Sequence, residues 1–234
     1  MKINKQGITT FVVKNAEEAN SVCKELLYEN CNPQTALFLS GGRTPKDLYS
    51  ILAEEKKLKV GAVVVTDDRF GQKFHEKSNE LMIAGTKLLS YLEEKNIKFY
   101  PVLENKNIDL TTKDFDETLR YIFNYFPKSV GILGVGADGH TAGIPAILEI
   151  SEKILEDKES LALNFDDSGK YGQRITMTFN ALAKLDLLIL IVVGEDKKEA
   201  LDLMFSEGSI DEIPARFYLR PEIAEKTILI TDQF

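Results

Sequence analysis

The stretch Gly134-Val135-Gly136-Ala137-Asp138-Gly139-His140-Thr141 sets an acid two positions before one of only two histidines in the chain. An imidazole is the side chain best suited to take a proton at neutral pH, and a nearby carboxylate orients it and raises its basicity. The surrounding glycines let the backbone turn tightly and leave space for a ligand. The same letters contain G-x-G-x-x-G, but a dinucleotide reading fails. No helix follows at once, because Gly143 and Pro145 intervene, and no acid stands at the ribose position. The second histidine, His75, falls in a polar loop and reads as solvated.

Other groups suit an anionic ligand. In Ser40-Gly41-Gly42-Arg43-Thr44-Pro45 two glycines permit close backbone approach, and Thr44 before Pro45 reads as the cap of a helix starting at the proline. A helix start offers unpaired N–H groups and a positive dipole end, a ready phosphate cradle with Arg43 or Thr44 nearby. The bland alternative is a tight turn. In Thr66-Asp67-Asp68-Arg69, two acids and an arginine follow an apolar run. Such groups are costly there unless solvated or paired, so they mark either a surface turn or a site. Ser78-Asn79 reads as the cap of the next helix. Arg174 opens an apolar run after a polar loop, and Lys197 stands in Gly194-Glu195-Asp196-Lys197. A lysine in a first helical turn opposes the dipole, so it is either offset by Glu195 and Asp196 or held to meet an anion.

Most of these residues stand just after short apolar runs. The runs are Ile8–Val13, Thr35–Leu39, Val60–Thr66, Ile97–Val102, Ser129–Val135, Leu185–Val193 and Thr227–Thr231. Several are nearly continuous Val, Ile and Leu, as in strands covered on both faces. Between them lie helical patterns: Asn15 with Glu18 as a capping box, a face at Phe115, Leu119, Ile122, Phe123 and Phe126, and another at Leu81, Leu88, Leu89 and Leu92. Alternating strands and helices predict an α/β fold, a mainly parallel sheet with helices on both faces, as one domain over 1–234. Ligands of such sheets bind beyond the carboxyl ends of the strands. Residues 145–172 read as a helical piece and a polar loop, either a flap over the site or a surface excursion. Ile8–Val13 reads as a sheet strand or a packing arm.

The bulk numbers narrow the classes. With 37 acidic and 29 basic residues the net charge is −8, against the basic surplus of a nucleic-acid binder. No apolar run reaches the roughly 20 residues a membrane helix needs. The polar start MKINKQGITT has no signal-peptide core, so a cytoplasmic protein is expected. Cys23 and Cys31 fit no zinc or redox spacing and read as reduced, packed thiols.

Taken in order, the motifs resemble those of the 6-phosphogluconolactonases and the glucosamine-6-phosphate isomerases/deaminases. Ser40–Pro45 is similar to S-G-G-x-T-P, and Asp67-Asp68-Arg69 with Ser78-Asn79 to D-E-R…S-N. Gly134–Thr141 resembles G-x-G-x-D-G-H-T, Arg174-Ile175-Thr176 the R-I-T strand, Gly194–Lys197 G-E-x-K, and Ile213-Pro214-Ala215 L-P-A. The resemblance runs from about residue 36 to the C-terminus. It implies a Rossmann-like three-layer sandwich, a sugar-phosphate ligand, and no metal or cofactor. His140 is then the catalytic base, oriented by Asp138 or Asp67. Arg69 or the backbone N–H groups of Gly136–Gly139 would serve the oxyanion, and Gly41, Gly42, Arg174 and Lys197, with Ser40 and Arg43 beside them, the phosphate.

Specific positions divide the two activities. Deaminases resemble D-E-Y where Arg69 stands, and place a glutamate five residues after the histidine, here Pro145. Both departures favour hydrolysis of 6-phospho-D-glucono-1,5-lactone. Gly71-Gln72 replaces the usual V-P, Thr141–Pro145 is one residue shorter than T-A-S-L-F-P, and the K-P-P segment before R-I-T is missing. The rivals are an isomerase/deaminase and a non-catalytic sugar-phosphate sensor. Monomer and homodimer both stay open.

Overall fold

The computed structural model describes residues 1–170 and 172–234. The chain begins with a hairpin of β1 (Lys2–Lys5) and β2 (Ile8–Val12), turned at Gln6 and Gly7, both with positive φ. Then come α1 (Ala16–Asn30), β3 (Thr35–Leu39), α2 (Arg43–Glu55), β4 (Ala62–Val65) and β5 (Asp67–Arg69). The middle holds α3 (Asn79–Gly85), α4 (Leu88–Glu94), β6 (Lys98–Tyr100), α5 (Ile108–Tyr125) and β7 (Lys128–Leu133). After α6 (Leu148–Glu156) follow β8 (Ala162–Asp166), β9 (Gln173–Met177), α7 (Phe179–Ala183) and β10 (Leu187–Val192). The chain closes with α8 (Lys198–Phe205), α9 (Pro221–Ala224) and β11 (Thr227–Thr231).

Eight strands form one sheet in the order β1-β2-β11-β10-β7-β3-β4-β6. Every pairing in it is parallel except β1 with β2. Ile8–Val12 is therefore a sheet strand, paired with β11. The apolar runs explain the centre: β3 and β4 are buried along their whole length, as strands covered on both faces must be. Helix α5 covers one face with Phe115, Leu119 and Ile122, and Phe123 stacks on Phe38 of β3 at 5.3 Å. Helices α1 and α2 pack side by side, burying Ala19, Cys23 and Leu27 beside Leu48, Tyr49 and Leu52. Each large apolar side chain so buried contributes roughly 1.5–3 kcal/mol. Cys23 and Cys31 are free and buried, and burial pushes the Cys31 thiol up to about 12.

Four expectations change. The Leu81–Leu92 face is not continuous: Lys87 takes a left-handed conformation, separating α3 from α4, and Leu81 is exposed. Helix α2 starts at Arg43 with Gly42 as its cap residue, so Pro45 lies third in the helix, where a missing N–H still costs nothing. Residues 145–172 contain strand β8 as well as a helix. Most consequentially, Asp67–Arg69 is no surface turn. It forms a second, antiparallel sheet in the order β5-β9-β8.

Candidate active site

The carboxyl ends of β3, β4, β7 and β10 open on one cavity of 530 Å³. Its lining includes Ser40 to Pro45, Asp67, Arg69, Asn79, Gly134 to Ala137, His140, Gly143, Arg174 and Lys197. Most of the groups singled out in the sequence thus meet in one place. A separate groove of 480 Å³ between β6 and α5 holds none of them.

The loop after β7 positions the imidazole. Nδ1 of His140 lies 2.5 Å from Asp138 Oδ1. An ionised carboxylate only accepts, so this contact places the ring proton on Nδ1 and leaves Nε2 as the acceptor nitrogen. Thr141 Oγ1 donates to Gly134 O at 2.8 Å and lies 2.7 Å from the buried Tyr218 hydroxyl. The Ile213-Pro214-Ala215 segment backs the loop, with the Ala215 N–H donating to Gly139 O at 2.9 Å. Asp67 makes no hydrogen bond to the imidazole. Buried on β5, it accepts from Thr66 Oγ1 and pairs with Arg174 Nη1 at 3.1 Å.

Two N–H groups of the Gly136–Gly139 turn are already engaged. The Gly136 N–H donates to His140 O at 2.8 Å, and the Gly139 N–H to Gly136 O at 2.9 Å. Neither is available to an oxyanion. Gly136 instead supplies space, because a Cβ there would overlap the His140 ring.

The small sheet brings cations to the cavity. Arg69 and Arg174 are direct cross-strand partners. Like charges placed so repel, and burial together with the Arg174 guanidinium pulls Arg69 below the usual arginine range. Asp67 offsets one charge, and an anion in the cavity would offset the other. Across the cavity, Gly42 at φ 120° caps α2 with no side-chain hydrogen bond, so its first-turn N–H groups meet the cavity uncapped by a side chain. The buried Ser40 Oγ has no partner among the described residues. Lys197 lies in a short 3-10 turn before α8 and donates to Val135 O at 3.1 Å. The Arg43 side chain is 96% exposed and stands 3.7 Å from Asp196, the least held of the expected substrate groups.

Several neighbours escaped the sequence reading. His75 is not merely solvated: its Nε2 lies 2.9 Å from Arg69 O, and its ring packs on Gly71. Ser78 does cap α3, accepting from the Leu81 N–H. Asn79, read only as part of that cap, donates from Nδ2 to Asp67 O at 2.7 Å and accepts from Arg69 Nη1 at 2.8 Å. Lys170, between β8 and β9, pairs with Asp138 Oδ2. That loop therefore reaches the site. No group of three or more His, Cys, Asp or Glu among the described residues is placed to hold a metal ion, and none of their helices is long and apolar enough to cross a membrane.

The family model described as glucosamine-6-phosphate isomerases/6-phosphogluconolactonase matches residues 10–228. The chain belongs to this family. Among relatives, the 6-phosphogluconolactonase of Helicobacter pylori strain J99 is 29% identical over 219 residues, covering 89% of this chain and 91% of that protein. That of Nostoc sp. strain PCC 7120 is 32% identical over 189 residues, 76% of this chain and 75% of that protein. The fold is that of the 6-phosphogluconolactonase from Plasmodium vivax, with TM-score 0.80 and 18% identity over 98% of this chain and 92% of that one. The Thermotoga maritima 6-phosphogluconolactonase superposes with TM-score 0.72 and 24% identity, covering 95% of this chain and 98% of that one.

Proposed function

We propose that this chain is a 6-phosphogluconolactonase, an esterase that opens 6-phospho-D-glucono-1,5-lactone to 6-phosphogluconate in the pentose phosphate pathway. One observation carries the reading: His140, held by Asp138 at Nδ1, shares a 530 Å³ cavity with two adjacent arginines and the start of α2. The relatives' names point the same way.

A lactone carbonyl is already electrophilic, so the step needs a positioned water and a base rather than a covalent nucleophile. His140 Nε2 takes the proton of the attacking water while Asp138 holds Nδ1, then returns it to the ring oxygen as its bond to C1 breaks, help worth about 10²–10⁴-fold. Arg69, beside the Ala137 backbone N–H at the cavity wall, meets the oxyanion, where one donor contributes roughly 10²–10³-fold. Gly41, Gly42, Ser40, Lys197 and Arg174 hold the phosphate, with Arg43 at the rim. The enzyme works as a single domain in the cytoplasm, as a monomer or homodimer, without metal or cofactor. The deaminase alternative lacks its acid: Pro145 is buried at that position, and Glu149 is exposed on α6.

The test is the disappearance of freshly generated lactone at mildly acidic pH, where spontaneous opening is slower. Acceleration by wild type that is lost in His140→Ala supports the assignment. Ammonia release from glucosamine 6-phosphate, or phosphosugar binding without turnover, would replace it with one of the rivals.

A further inference from the structure

Successive side chains of a strand point to opposite faces. On β5, Asp67 and Arg69 face the cavity, and Asp68 between them faces away from it. Its carboxylate is fully buried, where an ion is expensive to keep unless it is well bonded. Asp68 Oδ1 accepts from the Arg69 and Asn79 N–H groups, each at 2.8 Å, and Oδ2 from the Glu80 N–H at 3.1 Å. Those last two N–H groups open the first turn of α3, so Asp68 joins that helix to β5.

The join fixes Asn79. Its amide bridges from the Asp67 carbonyl to the Arg69 guanidinium and lies against Gly41, where a Cβ would overlap it. Asn79 thus touches three parts of the cavity wall, and the position of its backbone is set from behind by Asp68. Glu80, also buried, is committed elsewhere: its Oε1 accepts from the Leu103 N–H at 2.8 Å.

We propose that Asp68 is a positioning residue for the reaction, acting through Asn79 to aim the Arg69 guanidinium into the cavity. This deepens the lactonase reading and rests on it. Asp68 never meets the substrate; its influence passes through Arg69.

The test is a pair of double-mutant cycles. In the wild-type background Asp68→Asn and Asn79→Ala each lower kcat/KM by roughly ten- to a hundredfold, the usual effect of a misaimed group. In an Arg69→Ala background neither lowers it further by more than about twofold. Equal losses in both backgrounds would overturn the proposal, since they would mean general loosening or direct contact of Asn79 with substrate. An unchanged single variant would overturn it too. If Asp68→Asn does not fold, Asp68→Glu is carried through the same two backgrounds and decides, because it keeps a carboxylate but displaces it from the Asn79 and Glu80 N–H groups. The same cycles are run on the Kd of 6-phosphogluconate by calorimetry. Should wild type prove inactive on the lactone, the functional reading falls, and the binding cycle still decides whether Asp68 acts through Arg69.

Discussion

Gly136 lies directly beneath the imidazole of His140, so closely that any Cβ at 136 would overlap the ring. The glycine is required by space and not by its dihedral, since position 136 is absent from the positive-φ residues. Gly136→Ala must therefore swing the base out of place. Its kcat should fall about a hundredfold with little change in the far-ultraviolet circular dichroism spectrum. A variant that keeps wild-type kcat would show that the observed ring position is not the working one.

Asp138 is the acid on the other ring nitrogen. Asp138→Asn keeps the shape and removes the charged acceptor that holds Nδ1. We expect kcat to drop by about one to two orders of magnitude, with KM changing less. An unchanged kcat would take Asp138 out of the proton-transfer pair.

Lys197 is held by the Val135 carbonyl at the cavity wall. Truncation to alanine should raise KM roughly tenfold or more, as for a lost charge-assisted contact, while kcat changes less. Steady-state kinetics in which kcat alone falls would reassign it to the chemical step.

Gly143, at φ +77°, is a different kind of glycine. A side chain there is strained by the backbone and would stand 2.7 Å from the Asp67 Cβ. Gly143→Ala should cost about 1–3 kcal/mol in urea unfolding and raise KM through the Asp67–Arg174 pair. A neutral outcome would mean that the turn relaxes freely.

Asp68 makes stability depend on pH. Burial, with Asp67 and Glu80 close by, raises its carboxyl from 3.8 to about 7. A carboxyl raised on folding binds its proton more tightly in the folded chain. Its contribution is therefore largest at low pH and declines as pH rises from about 4 to about 7, by an order of 4 kcal/mol. Unfolding free energies at pH 5 and pH 8, compared between wild type and Asp68→Asn, isolate the effect. The difference between the two proteins should change between those pH values, and a constant difference would contradict the raised value.

The large sheet was legible because its central strands are buried on both faces and so read as unbroken apolar runs. The small sheet was not. β5 is only Asp-Asp-Arg, and its partner lies far along the chain: Asp67 and Arg174 are 107 residues apart. Polar strands that line a cavity carry no apolar alternation, so nothing local distinguishes them from a turn. For the same reason two adjacent aspartates looked equivalent in the sequence, although strand geometry sends one to the cavity and the other into the interior. His140 and Asp138 stood out because glycines flank them at the end of an apolar run. Asn79 was visible only as a helix start, and its reach to Arg69 depends on the β5–α3 packing. The start of α2 was misplaced by two residues, since a glycine at positive φ can begin a helix before the more conspicuous Thr-Pro pair.

The two sheets divide the labour of the cavity between frames with separate hydrogen-bond ladders. His140 and Asp138 ride on the loop after β7, whereas Arg69 and Arg174 ride on β5 and β9. The frames are nonetheless tied, since Lys170 between β8 and β9 pairs with Asp138 and Thr176 of β9 donates to Ala142 O. A lineage, or an engineer, that replaced those two strands would therefore retune the phosphate anchor and the proton-transfer pair together.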